Sequence, residues 1–558
     1  MLSQKIHRYI FLFSTALLVI GMPVSIFLLS VAQLLLASNW ILEGNFRHKF
    51  NIIKSRKAIL LILTIYLIHI LGLFNTHEFF KTLFDLRIIV ARSSLFDLVH
   101  NFRTANIPTN FIYALHDLRI KLPLLALPVI YGTSEPLSKK EFKIIMQLFI
   151  ASVLVSSFIT TFVLLGFSNI KPVDSRYASL FISHIRFSLI VVLSIFSVVY
   201  ITFTNHFEHF KREKLISFLV ILWFISFLIL LRSFTGIVIF LILFPIALIW
   251  CAYYQKKILL LRMAYLGSFL ILIGIFAYSL FSYHRFNRRY DCDLNNLETF
   301  TVNGNLYRHY PTSDEYENGY KIWINLCEKE LAKEWNLRSN YKYDSLDRKG
   351  QSVRTTLIRY LTSHGYRKDS LGVSKLDKTD IEMIDKGYTN YLDKNKFALY
   401  PRIYELLWEI DRYKKGGDPS GQSLSQRIEY LKTGTRIMKR FFWFGTGTGD
   451  VQNEFYKQYA MDNSKLHPPY RHRTHNQFIT LLIAFGIFGF VWIYFALFAT
   501  PVLEKKYRNF MFMIFFLIGI LSMLNEDTLE THVGVSFFAF FYSFFLFSMP
   551  QNESSIDD

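Results

Sequence analysis

Runs of roughly 20 apolar residues recur along this chain, each about the length a helix needs to cross a hydrocarbon core. One long polar segment, about 283–475, contains none of them. Inside a bilayer every backbone N–H and C=O must be satisfied within its own segment, so the apolar runs read as helices rather than strands or loops. Candidate spans lie at 9–22 and 24–42, broken at Pro23, and then at 58–74, 114–131, 143–167, 185–204, 215–231, 234–253, 259–282, 476–499, 508–524 and 532–548. Composition agrees: 52% of residues are hydrophobic and only 19% charged, against about 25% charged in soluble domains. The expected fold is an all-α polytopic membrane protein of about twelve transmembrane helices with one large, mainly helical extracytoplasmic insert. Residues 1–282 form an N-terminal membrane region of about nine helices, 283–475 the insert, and 476–558 a C-terminal membrane region of about three helices with a short acidic cytoplasmic tail.

The net charge of +20 raises the question of nucleic acid, and its distribution answers it. The basic residues gather in short connections: Arg47 to Lys57, Lys139 to Lys143, Lys211 to Lys214, Lys256 to Arg262 and Lys505 to Arg508. These fall in every second connection of the twelve-span arrangement, as the positive-inside rule requires of cytoplasmic loops. No nucleic-acid partner is expected, both termini are expected in the cytoplasm, and the insert outside it. Lys5 and Arg8 before an apolar run resemble a signal peptide, but no small-residue cleavage site follows, so an uncleaved first helix is expected. Cys251 lies in an apolar run, while Cys292 and Cys327 lie in the insert. Outside the cytoplasm those two could form a disulfide or remain free thiols.

The stretch with most chemistry is Arg471-His-Arg-Thr-His475-Asn476, where the insert meets a membrane helix, followed by Gly486 and Gly489 inside it. A histidine of ordinary pKa, about 6.5, can take a proton at neutral pH. Arginines beside it offer forked donors to a diphosphate, and the glycine pair would let another helix approach closely. Interfacial snorkelling and plain packing are the competing reading. Upstream, Ser425-Gln-Arg427 opens an amphipathic helix that leads to Trp443-Phe-Gly445-Thr-Gly447-Thr-Gly449-Asp450. Glycines spaced this way are by themselves weak evidence of phosphate binding.

Taken in order, the Ser-x-Arg helix, the Trp-Phe-Gly-x-Gly turn and the His-Asn helix start resemble the O-antigen ligase and polymerase family over about 425–490. His184-Ile-Arg186-Phe-Ser188 and Asn525-Glu526-Asp527-Thr-Leu-Glu530 add to the likeness. The resemblance implies a membrane glycosyltransferase of the bacterial cytoplasmic membrane, with its large loop periplasmic. Such an enzyme moves a glycan from undecaprenyl diphosphate to an acceptor hydroxyl at the outer face. The implied partners are the undecaprenyl-diphosphate-linked donor, a glycolipid of lipid A-core type or another hydroxyl acceptor, and membrane lipids.

On the same likeness His475 deprotonates the acceptor and Arg427 binds the diphosphate. A second family arginine corresponds to Arg232 in Arg232-Ser-Phe-Thr-Gly236, displaced by two residues, with Phe234 where the arginine usually stands. Arg186 is a third candidate for the diphosphate, and Asn476, Glu526 and Asp527 are supporting candidates. Twelve spans place Arg186, Arg232, His475, Glu526 and Asp527 at one surface, where charge is most simply explained by a cavity or a charged ligand. His184 and His472 read as structural, and Glu526 and Asp527 read equally well as arginine partners. No metal and no cofactor are expected. Asp291-Cys-Asp293 has the spacing of a metal-binding Asp-x-Asp motif, but carboxylates at that spacing are common. Arg436, Lys439 and Arg440 read as a solvated face or a contact for anionic lipid. A polymerase joining lipid-linked repeat units and a lipid-linked glycan transporter are the alternatives. Transporters usually carry internal repeats and midplane polar residues, and none are evident here.

Overall fold

The computed structural model of the chain describes residues 4–92, 107–167, 179–204, 211–290, 292–395 and 398–550. Asp291 and the acidic tail 553–558 lie outside the described residues. The fold is nearly all helical. Its only two-stranded pairing among the described residues is the hairpin Tyr316–Glu317 with Tyr320–Lys321. The described residues within 1–162, 178–264 and 412–558 pack as one unit, and those within 163–177 and 265–411 as a second.

Among the described residues eight helices are long and apolar enough to cross a membrane: Gln4–Val24, Lys57–Asn75, Lys139–Leu164, His184–Thr204, Arg212–Leu230, Phe234–Tyr254, Ile258–Asn287 and Gln477–Leu503. Each matches an apolar run read from the sequence. The other four runs are also helical, but each has a physical reason for falling short. Ile26–Leu42 turns by 108° into Phe46–Ser55, and the two would make a ninth span if counted together. Thr109–Thr133 carries Pro123 and Pro128 and, up to its midpoint, Asp117, Arg119 and Lys121. Phe510–Met523 and His532–Ser548 are shorter apolar helices.

The core of the first unit is aromatic and aliphatic. Phe149, Phe187, Phe515, Phe540, Phe541 and Phe545 are all fully buried or nearly so. The helix Gln477–Leu503 packs on Lys57–Leu71 and on Ser423–Arg440, which places the His-Asn start beside the Arg427 helix. Large apolar side chains such as Leu215, Phe218, Leu219 and Leu222 stay exposed, as expected of a surface that faces lipid rather than water.

The second unit has its own core of Leu326, Leu331, Trp335, Leu357, Leu361 and Val373. Glu330 is 6% exposed and accepts hydrogen bonds from Thr301, Asn305 and Ser370, so its charge is buried with partners, the condition for such burial to be tolerated. Cys292 and Cys327 are free thiols, as is Cys251.

Candidate functional site

The site is built on the short connection that follows the helix Phe510–Met523. Its backbone is pinned early: the Asn525 and Glu526 N–H groups both donate to the Ser522 carbonyl, at 3.1 and 2.9 Å. The side chains of these two residues are thereby aimed at the helix Ser423–Arg440. Arg427 answers with both arms of its guanidinium, one on Asn525 Oδ1 and the other 2.7 Å from Glu526 Oε1. Asn525 also donates through Nδ2 to Thr235 Oγ1 at 2.7 Å. The Arg232-Ser-Phe-Thr-Gly236 turn is in this way tied to Arg427 through one asparagine.

That turn in turn abuts the start of His184–Thr204. Ser233 Oγ donates to Ser188 Oγ at 2.8 Å, and a Cβ on Gly236 would come within 2.5 Å of the Ser188 side chain. Arg232 itself takes a left-handed backbone, φ 52°, at the tip of the turn. Arg186 lines a small cavity together with Glu526, Thr528, Val533 and Gly534, and its Nη1 donates to Ser183 Oγ at 3.3 Å.

His475 arrives from the other side. It is left-handed, φ 49°, a conformation uncommon for residues other than glycine, and its N–H donates to Asp527 Oδ2 at 3.1 Å. Its Nδ1 lies 4.0 Å from Glu526 Oε2, and its side chain is 36% exposed, enough to meet a ligand. Its ring lies against Tyr430, with centroids 5.6 Å apart. Asn476 caps the following helix, accepting from the Ile479 N–H at 3.1 Å, while its Nδ2 donates to the Leu524 carbonyl at 2.9 Å. Asp527 also accepts from Thr480 Oγ1 at 2.7 Å. Burial, with Glu530 nearby, pushes the Asp527 carboxyl above its usual range despite His475. Burial and the neighbouring His475 lower His472.

The sequence-level candidates Arg427, His475, Asn476, Glu526 and Asp527 therefore meet at one connection, with Arg186 and Glu526 lining one small cavity. The arginines beside His475 have other partners. Arg471 donates to the Leu466 carbonyl at 3.0 Å, and Arg473 to Gln452 and Glu530, each at 3.1 Å.

The glycine-rich turn proves to be architecture. Thr446 and Gly447 donate their N–H groups to the carbonyls of Ile483 and Ala484, at 2.8 and 3.0 Å, and Thr448 to that of Gly72 at 3.1 Å. The Gly449 N–H goes to Thr76 Oγ1. These donors close the turn onto neighbouring backbone and the Thr76 hydroxyl. The partner surface is a break in the helix Gln477–Leu503 at Gly486, φ 62° and ψ −172°, a region essentially confined to glycine. A Cβ there would sit 2.2 Å from the Trp443 carbonyl oxygen, so what Gly486 admits is a turn rather than the helix expected from sequence. Gly486→Ala is expected to cost at least about 1–3 kcal/mol from backbone strain alone, with backbone overlap added. A thermal melt of the purified variant, equal to that of the wild type, would contradict this.

One set of residues was missed. Lys121, 2% exposed, pairs with Asp117 and lies 3.1 Å from Glu530 Oε1. Asp117 also pairs with His69 Nδ1 at 3.0 Å, while Glu530 accepts from Arg473 and from Gln477 Nε2 at 3.0 Å. This buried network ties the helices Lys57–Leu71 and Thr109–Thr133 to the strand of chain that leads into His475. Asp117 and Lys121, four residues apart within an apolar run, were the available signal: that spacing puts them on one helix face. Asp293 uses a carboxylate oxygen to accept the Asn295 N–H at 3.0 Å. Among the described residues no group of three or more His, Cys, Asp or Glu is arranged to hold a metal ion.

A nearly all-helical protein with several membrane-length helices falls in the class of multi-pass membrane proteins, and here arginine, histidine and carboxylate side chains gather around one of its interhelical connections. Residues 388–494 match the family model described as O-antigen ligase, so the likeness read over 425–490 holds within a longer segment. No curated protein matches the chain. The matched segment contains Arg427 and His475, and the match supports a membrane function of O-antigen ligase or polymerase type.

Proposed function

We propose that the chain is an O-antigen ligase-like glycosyltransferase that moves a glycan from undecaprenyl diphosphate to an acceptor hydroxyl at the outer face of the bacterial cytoplasmic membrane. The observation that carries this reading is the meeting of Arg427 and His475, both within the matched segment, on Glu526, which lies outside it. In this reading His475 takes the proton of the acceptor hydroxyl as the oxygen attacks the anomeric carbon. The bond from that carbon to the diphosphate oxygen breaks, and undecaprenyl diphosphate leaves. Arg427 holds the departing diphosphate, with Arg186 and Arg232 as further cations on that side. The acceptor is a glycolipid of lipid A-core type or another hydroxyl compound. Neither a divalent metal nor a nucleotide sugar takes part, because the donor carries its own leaving group.

The forked guanidinium of Arg427 counts most as charge builds on the leaving group. Arg427→Ala is therefore expected to lower the chemical rate, and Arg427→Lys to recover only part of it. Equal rates for Arg427→Lys and the wild type would contradict a forked contact.

Twelve crossings, with both termini cytoplasmic and the insert periplasmic, complete the proposal. Cysteines introduced in the insert are then expected to react with an impermeant reagent in intact spheroplasts. Labelling only after permeabilisation would overturn the orientation. The function itself is tested with purified protein, a defined undecaprenyl-diphosphate glycan and separate acceptors, all in EDTA. Glycan appearing on the acceptor supports the ligase; lengthening of the lipid-linked glycan indicates the polymerase instead; transport of the intact donor with no new bond overturns the reading.

A further inference from the structure

Glu526 stands between the two groups on which the transfer reading rests. Its Oε1 is 2.7 Å from Arg427 Nη2 and its Oε2 is 4.0 Å from His475 Nδ1. Its side chain is only 12% exposed, and its backbone is fixed by the N–H to Ser522 carbonyl bond. A carboxylate so confined has few places to move, and the arginine holds it. We propose that Glu526 is a positioning residue that couples donor binding to the base: the donor diphosphate takes Arg427 from Glu526, and the released carboxylate closes on His475. This rests on the transfer reading above and adds an order of events to it.

The physical case is competition for one fork. Both arms of Arg427 are occupied, by Asn525 and Glu526, so an anion can gain the full guanidinium only by displacing one of them. A diphosphate carries more charge than the carboxylate and repels it at short range. The carboxylate then moves toward the nearest other cation or donor. His475 Nδ1 needs only about 1 Å of approach to come within hydrogen-bond distance. A carboxylate on Nδ1 fixes the tautomer that leaves Nε2 free to accept a proton and stabilises the imidazolium that results.

The charged and titratable groups around this pair come from every side. Tyr430 and Arg427 lie on the helix Ser423–Arg440, and His472 lies on the chain leading to His475, with ring centroids 6.3 Å apart. Asp527 Oδ2 is occupied by the His475 N–H. Arg186 borders the same cavity as Glu526 and is the competing destination for the released carboxylate. Only closure on His475 changes the basicity of the imidazole.

The experiment compares wild type, Glu526→Gln, Glu526→Asp and His475→Ala as full-length purified proteins, each normalised to folded protein. Transfer is followed across pH, and binding is measured with undecaprenyl diphosphate alone. Glu526→Gln is expected to bind undecaprenyl diphosphate at least as tightly as the wild type, because Arg427 no longer has an anionic competitor. Its kcat is expected to fall about tenfold or more, and the acid limb of its kcat profile to move to lower pH by about one unit, since one unit corresponds to a tenfold change in protonation. Glu526→Asp, one methylene shorter but charged, is expected to recover part of the acid-limb position. Should Glu526→Gln fail to fold, the acid limb and binding of Glu526→Asp decide the matter alone: an unmoved limb with wild-type kcat overturns the proposal. A Glu526→Gln enzyme with a wild-type acid limb and weaker donor binding also overturns it, while His475→Ala remaining inactive leaves the transfer reading standing. Full activity in His475→Ala removes that reading itself.

Discussion

With His475 replaced by alanine, transfer per correctly inserted molecule is expected to fall about 10²–10⁴-fold, the usual contribution of a positioned acid or base. The structure makes this substitution an informative one. The hydrogen bond that fixes the residue runs from its backbone N–H to Asp527, and alanine keeps it. The left-handed backbone carries a Cβ penalty for both residues, somewhat smaller for histidine. What the substitution removes is an imidazole that is 36% exposed and makes ring contacts with Tyr430 and His472. A purely structural histidine in that place would show its loss as less folded protein, with turnover per folded molecule preserved. Near-normal specific activity in His475→Ala would remove the base from the mechanism.

The second large effect is on stability. Lys121 is almost fully enclosed and serves two carboxylates, Asp117 and Glu530. Lys121→Met keeps much of the volume and removes the charge, leaving one more buried anion than cation. Removing one partner of a buried pair typically costs about 3–5 kcal/mol. The lower end is expected here, because Asp117 keeps His69 and Glu530 keeps Arg473 and Gln477. The loss is read as a lowered thermal midpoint in detergent, and restoring part of it with Lys121→Arg would tie it to charge. Since Arg473 leads directly into His475, residual turnover is expected to fall further than the folded fraction alone accounts for. An unchanged midpoint would mean that the network is solvated.

Much of this was legible in one dimension, because a membrane helix announces itself by length and apolarity alone. Eight runs became helices of spanning length for that reason. The run 114–131 is also helical, within Thr109–Thr133, and its Asp117 and Lys121 find their partners His69 and Glu530 on other elements, which no local pattern shows. The sharp turn after Leu42 likewise has no counterpart in hydropathy.

At the site, Arg427 and His475 were legible from motif order. Their common partner was visible only as one acid in a run, because pairing across 99 residues leaves no local pattern. The same limit explains the misreadings around it. Arg471 and Arg473 read as forked donors for a diphosphate or as interfacial residues, and in the structure a backbone carbonyl and the buried Glu530 claim them. Gly486 looked like a helix-packing position because small size was its only local sign, whereas its backbone conformation depends on the Trp443 turn that docks there.

The central claim, that a lipid diphosphate is the leaving group, is tested most directly by counting products in a single reaction. Purified protein is given a defined undecaprenyl-diphosphate glycan and an acceptor, with EDTA and no nucleotide sugar, and free undecaprenyl diphosphate and glycosylated acceptor are quantified together. The two are expected to appear in equal amounts, and both to fall about 10²–10⁴-fold in His475→Ala. Intact donor with no free undecaprenyl diphosphate, in the presence of folded protein and a competent acceptor, would contradict it.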